Sequence, residues 1–171
     1  GGKIIIKSVN DGEKFAAGGN TCLYGATGGK LYIAGSVGER FGVRNSGALA
    51  VVEGTGDNAC EYMTGGIVLI LGRTGINFGA GMTGGISFVY DADHTFIENV
   101  NRELVEPVRI DTDDSDEARH YLKKLLKDYL AETGSKKAKE LLDNFRVELK
   151  NFWLVKPKNL TKLPMNLEIG D

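Results

Sequence analysis

The sequence predicts an all-β solenoid, a parallel β-helix with coils of about 19 residues, followed by a short α-helical extension. Three observations carry that reading. Of 24 glycines, 22 lie between Gly1 and Gly85, while the three prolines, Pro107, Pro157 and Pro164, all lie beyond them. Residues 27–35, 45–53, 64–72 and 83–91 align without gaps, each as a turn of small residues, five mostly aliphatic or β-branched residues, and another turn. No helical periodicity occurs before residue 95.

The repeat is set by Gly29, Gly47, Gly66 and Gly85, which recur after 18, 19 and 19 positions. Gly1-Gly2-Lys3-Ile4-Ile5-Ile6 starts the same way, 27 positions before Gly28-Gly29, so its coil carries an insertion around Ser8 to Gly19. Two linkers share the spacing GxxGxxxG, at Gly35, Gly38 and Gly42 and at Gly72, Gly75 and Gly79, whereas Gly54-Thr55-Gly56-Asp57 breaks it. A fixed period with no room for crossover helices implies strands stacked in parallel at ~4.8 Å. An antiparallel meander needs hairpin signals such as Asn-Gly between strands. The nearest such pair, Asp11-Gly12, lies in the insertion. A hexapeptide helix needs a strict period that these glycines do not keep. The chain begins within a coil, so upstream coils are expected.

The strands are apolar on both faces. Gapless alignment groups Leu31/Ile33, Leu49/Val51, Val68/Ile70 and Ser87/Val89 on one face, and Tyr32/Ala34, Ala50/Val52, Leu69/Leu71 and Phe88/Tyr90 on the other. One set fills the coil. The other needs a cover, because sheets buried on both faces read this way.

The cover is either the chain's own C-terminal helices or another domain, and the chain divides into a β-helix over residues 1–95 and a helical extension over 96–171 that packs on it. Asp114 or Ser115 caps a helix with the apolar stripe Ala118, Tyr121, Leu122, Leu125 and Tyr129, and Glu117 fits a capping box with Asp114. Gly134 stops it. Ser135 starts another helix, with Ala138, Leu141, Leu142, Phe145 and Leu149 on one face. Phe152-Trp153-Leu154-Val155, before Lys156-Pro157, reads as a packing anchor.

The chemistry is sparse. Net charge is -2, with 7 basic and 7 acidic residues over 1–91 and 14 and 16 over 92–171, which points away from nucleic acid. No apolar run approaches the ~20 residues of a membrane helix. Two cysteines, Cys22 and Cys60, are too few for a disulfide framework and read as small fillers, and a reducing cytoplasm is the expected compartment. Gly79, Gly81 and Gly84 match the letters GxGxxG, but a strand follows where a dinucleotide site needs a helix. Gly25 to Lys30 lacks the spacing of a phosphate loop. His94 and His120 have no ligand-spaced partners. Asp111 to Glu117 reads as a solvated helix start, and Asn159-Leu160-Thr161 is a glycosylation-like triplet. No catalytic, cofactor-binding or metal-binding residue is assigned to the chain.

The Thr-Gly-Gly turns, the two GxxGxxxG linkers, Val100-Asn101-Arg102-Glu103-Leu104-Val105-Glu106, Thr133-Gly134-Ser135 and Phe152 to Pro157 together resemble the C-terminal glycine-rich (GXGXG) domain of glutamate synthase large subunits. The resemblance implies a right-handed parallel β-helix and a non-catalytic structural and docking role in an oxidoreductase that makes L-glutamate from L-glutamine and 2-oxoglutarate. It places FMN and the iron–sulfur cluster on partner domains and glutamine hydrolysis on an amidotransferase domain. It puts none of that chemistry on this chain, and it also allows a stand-alone subunit. The alternatives are the β-helix subunit of a formylmethanofuran dehydrogenase, or a free-standing β-helix scaffold or enzyme. A truncated coil stack leaves an open strand edge, so the isolated chain is expected to form a homo-oligomer.

Overall fold

The computed structural model describes residues 1–7, 17–160, 162–165 and 169. Most of the proposed insertion, and Thr161 of the triplet, lie outside the described residues. Five strands, β1 (Lys3–Ile6), β2 (Lys30–Ile33), β3 (Ser46–Val52), β4 (Thr64–Ile70) and β5 (Gly84–Tyr90), pair successively and in parallel. The solenoid reading therefore holds and the meander does not. The 27-residue step from Lys3 to its partner Lys30 is the long first coil.

Between strands the chain is irregular but still laddered from coil to coil. Thr21, Gly42, Cys60 and Gly79 each donate their N–H to the adjacent coil, to the carbonyls of Glu39, Cys22, Phe41 and Ala59, at 2.7 to 2.9 Å. Three left-handed columns turn this corner. Thr21, Arg40, Asn58 and Asn77 hold φ near 60°, as do Leu23, Gly42, Cys60 and Gly79, and Gly25, Arg44, Tyr62 and Gly81. Non-glycine residues fill several of these places at a cost of about 1 kcal/mol each, which the inter-coil hydrogen bonds offset.

Other glycines serve close approach instead. A Cβ on Gly84 would stand 2.0 Å from the Thr64 carbonyl oxygen, and one on Gly75 would stand 2.1 Å from Asp57 Oδ1. Coils rest directly on one another there.

The register corrects the gapless alignment. Lys30 pairs with Leu49 and Leu49 with Ile67, so the steps run 19 then 18, and the short step falls between β3 and β4. The cause is Asn45, which is fully buried. Its Oδ1 accepts from the Gly47 and Ala48 N–H groups at 3.2 and 2.8 Å, and its Nδ2 donates to the Ala48 carbonyl at 3.1 Å. That turn adds a residue at the start of β3, where the register shifts between Ser46 and Leu49, and a one-residue slip exchanges faces. The interior therefore holds Ile33, Ala50, Val52, Val68, Ile70 and Val89, with Phe41, Met63, Phe78 and Met82 from the corners. The outer face holds Tyr32, Leu49, Val51, Ile67, Leu69, Phe88 and Tyr90. The sequence reading put Leu49 and Val51 with the wrong neighbours.

The second half covers the outer face and extends the sheet. α1 (Phe96–Asn99) lays Phe96 edge-on against Phe78, with centroids 5.2 Å apart, and Phe96, Val100 and Val105 join the solenoid interior. β6 (Val105–Arg109) and β7 (Phe152–Pro157) add two antiparallel strands, giving the order β1-β2-β3-β4-β5-β7-β6. Phe152 to Pro157 is thus a sheet strand rather than only a packing anchor. α2 (Asp116–Thr133) lays Ala118, Tyr121, Leu122, Leu125, Leu126 and Tyr129 on the outer face. Gly134 ends it in the left-handed conformation at φ 70°, and Ser135 Oγ caps α3 (Lys136–Asp143) by accepting from the Ala138 N–H at 3.1 Å. The capping box does not form. Asp114 sits in a 3-10 turn and its carboxylate accepts from Thr112 Oγ1 at 2.8 Å. The second helix also breaks at Asn144 and resumes as α4 (Phe145–Glu148).

Candidate interaction surfaces

Three regions of the described surface carry the geometry relevant to function. The first is the seam between α2 and the sheet. The buried Tyr129 hydroxyl lies 2.8 Å from the Ile33 carbonyl and also against the Glu53 carboxylate, which accepts from Ser135 Oγ at 3.1 Å. Burial, then the Glu53 charge, pushes the Tyr129 phenol far above its ordinary value, so it stays a donor. Nearby, Asp128 accepts from Lys30 Nζ at 2.8 Å and from the Tyr32 hydroxyl at 2.7 Å, and Lys3 pairs with Glu132. Burial works to raise the Asp128 pKa, but the hydrogen bonds from Lys30 and Tyr32 and the charges of Lys30 and Lys3 outweigh it, leaving the carboxyl below its usual range. Asp128 and Glu132 of α2 thus turn inward and latch the first two strands.

The second region is the corner. Asn101 Nδ2 donates to Asn77 Oδ1 at 3.0 Å, and Asn77 Nδ2 donates to Asn58 Oδ1 at 3.2 Å, forming a polar column. The corner segments also carry exposed Tyr24, Tyr62 and Ile76, with exposed Arg40 and Arg44. Tyr62 and Ile76 keep 56% and 62% of their surface open, which is high for a tyrosine and an isoleucine held on a rigid corner.

The third region is the closed end. Asp91 is buried, with one oxygen accepting from the Thr95 and Phe96 N–H groups and the other from Trp153 Nε1 at 3.1 Å. The Arg109 guanidinium stacks 3.6 Å over the Trp153 ring.

The residues weighed in the sequence fall into this scaffold separately. Gly79 and Gly81 turn the corner at φ 73° and 68°, and Gly84 opens β5. Lys30 of the phosphate-loop-like run opens β2 and binds Asp128. His94 turns the chain after β5, and His120 is exposed on α2. Cys60 is sealed in the interior, where burial pushes its thiol up to about 12, and Ser87 Oγ contacts its sulfur at 3.6 Å. Cys22 is half-buried and lies one residue before Leu23, the position in its coil that matches Cys60. The interface-like corner was missed in sequence. Its signal was Tyr24 and Tyr62 standing in the turn segments of an otherwise glycine-rich repeat.

Corner columns, a glycine-stacked coil and a helical cover define a parallel β-solenoid domain. Residues 1–158 match the family described as GXGXG motif, and the chain belongs to that family. Its relatives include the ferredoxin-dependent glutamate synthase of Pyropia yezoensis, 48% identical over 92% of this chain and 10% of that protein. The glutamate synthase [NADPH] large chain of Azospirillum brasilense is 47% identical over 98% of this chain and 11% of its own length. The chloroplastic ferredoxin-dependent glutamate synthase of Spinacia oleracea is 45% identical over 96% of this chain and 10% of its own. The chain spans about a tenth of the length of these curated relatives. Among the described residues no helix is long and apolar enough to cross a membrane.

Proposed function

We propose that this chain is a structural and docking domain of a glutamate synthase. In this reading it supports L-glutamate formation from L-glutamine and 2-oxoglutarate that is carried out by partner amidotransferase and FMN-binding domains. FMN and an iron–sulfur cluster sit on the partners. Such a cluster needs several converging thiolates, whereas Cys60 is enclosed in the coil and Cys22 lies one residue before the position that matches it.

The observation that carries the reading is the contrast between the two broad surfaces. The outer sheet face is already covered by α2 and α3, while the corner presents Tyr24, Tyr62, Ile76, Arg40 and Arg44 on a stiff, inter-coil-bonded frame. Exposed tyrosine and arginine on a rigid element are the composition of an interface centre. The relatives favour glutamate synthase as the parent enzyme and lend nothing to formylmethanofuran dehydrogenase.

The test is capture by the FMN-binding and amidotransferase domains of a glutamate synthase. Wild-type chain is expected to be retained. The double variant Tyr62→Ala and Ile76→Asp is expected to be retained at least tenfold more weakly with unchanged thermal unfolding. Turnover of glutamine by the purified chain alone, or flavin absorbance that persists through gel filtration, overturns the reading.

A further inference from the structure

The strongest unassigned feature is the charge segregation of α2. Beyond its first turn, where Asp116 and Glu117 are exposed, its acidic residues Asp128 and Glu132 face the solenoid and are taken by Lys30 and Lys3. Its opposite face carries His120, Lys123, Lys124 and Lys127, all exposed and spaced i, i+3, i+4 and i+7, so they form one stripe. Lys123 lies 5.6 Å over the Phe145 ring, while His120, Lys124 and Lys127 have no partner among the described residues. This basic stripe stands on a chain of net charge -2.

Grooves lie on both sides of the stripe. One, of 640 Å³, runs between α2 and α4 and is lined by Lys123, Arg146, Leu142, Phe145 and Val147. The other, of 410 Å³, is lined by Glu117, His120, Lys124, Lys127, Tyr121 and Met165, so its basic end lies towards Lys124 and Lys127. Val147 is 61% exposed at the first. Cations alternating with apolar groove walls match a helix that carries carboxylates on one side and apolar anchors on the other.

We infer that the outer face of α2, with the groove towards α4, binds an acidic amphipathic helix of a partner protein. A phosphate backbone or an anionic bilayer fits less well. Asp116 and Asp143 line the same groove and would repel a uniformly anionic surface, while leaving individual carboxylates free to pair with Lys124, Lys127 and Arg146. The inference concerns a different face from the corner and stands whether or not the parent enzyme is a glutamate synthase.

The experiment is fluorescence anisotropy with the whole chain and a labelled synthetic helix bearing glutamates on one face and leucines on the other. Binding is expected, weakening as salt rises. The exposed double variant Lys124→Glu and Lys127→Glu, with unchanged circular dichroism and thermal unfolding, is expected to bind at least tenfold more weakly and to bind a lysine-for-glutamate peptide instead. Replacing the peptide leucines by serine is expected to weaken binding as much. Equal binding by the variant overturns the inference, as does tighter binding of the wild type to phosphatidylserine vesicles or to an RNA oligonucleotide at the same salt.

Discussion

The two ends of the solenoid are finished in different ways. At the far end, β5 is followed by a strand that is not a coil at all. β7 pairs antiparallel with β5, and β6 pairs antiparallel with β7. Phe78 and Asn101 close the corner side through the bridge to residues 99–101, and Asp91 pins the seam through Trp153. At the near end, β1 is four residues long, offers one bare edge among the described residues, and leaves Ile4 59% exposed. Its fastening is electrostatic, through Lys3 to Glu132 and, one strand in, Lys30 to Asp128. A further coil only moves an open edge along the axis, whereas a reversed strand with a helical cover ends the stack. One end is finished by reversed strands of its own chain, with β6 outermost, and the other presents the parallel strand β1 as its outermost described strand.

The contrast is tested most severely by glycines. Gly84→Val puts a side chain into the Thr64 carbonyl, where a Cβ alone stands 2.0 Å away, and neither backbone can yield without breaking the coil stack. A loss of about 4 kcal/mol or more is expected in urea unfolding. Gly2→Val at the near end meets nothing within 4 Å and should change stability by less than about 0.5 kcal/mol. Next in size is Phe152→Ala. Phe152 is fully buried against Tyr90 with centroids 5.1 Å apart, so about 3–4 kcal/mol is expected. Ile5→Ala in β1, which is half-buried, should cost about 1 kcal/mol. Equal costs at the two ends would show that β1 is as firmly seated as β7.

How far the sequence reveals this arrangement depends on how local the determining interaction is. The repeat, the parallel strands, the Gly134 stop and the Ser135 cap are visible because glycine spacing and capping chemistry act within a few residues. The faces of β3 are hidden because Leu49-Ala50-Val51-Val52 is apolar at every position, so only the buried Asn45 turn sets the register. β7 is hidden for another reason. Its partners β5 and β6 are remote, and four apolar residues before a proline read equally as an anchor or a strand. The exposed corner was legible only through Tyr24 and Tyr62 in the turns, because the exposure of Tyr62 and Ile76 depends on which way the coil turns.

The bare edge makes a prediction about association. Among the described residues the outer edge of β1, beside exposed Ile4 and Ile6, has no strand partner and is a template for a second copy, pairing β1 with β1 about a two-fold axis. Concentration-dependent dimerisation is expected by light scattering, and Ile4→Lys should weaken it about tenfold, roughly 1.4 kcal/mol. A substitution on β6, such as Glu106→Gln, should leave it unchanged. A sharp monomer at high concentration would remove the distinction between the ends.

The smallest expected effect concerns the latch. Asp128 titrates below the ordinary aspartate value in the folded chain, so its contribution is fully present above the unfolded pKa and is lost as pH falls through the lower folded value. Because the pair is partly solvated, Asp128→Asn should cost only about 1 kcal/mol at neutral pH and flatten the acid limb of the stability curve. Hydrogen exchange locates the effect. Acidification towards the folded pKa should speed exchange in β1 and β2 well before it does in β5 and β7, because the backbone bonds and buried aromatic contacts of the closed end do not depend on Asp128. The Asp128→Asn variant should show that asymmetry already at neutral pH. If exchange in β1 and β7 rises together, helix α2 is held at the near end by its apolar face alone and the charges are incidental.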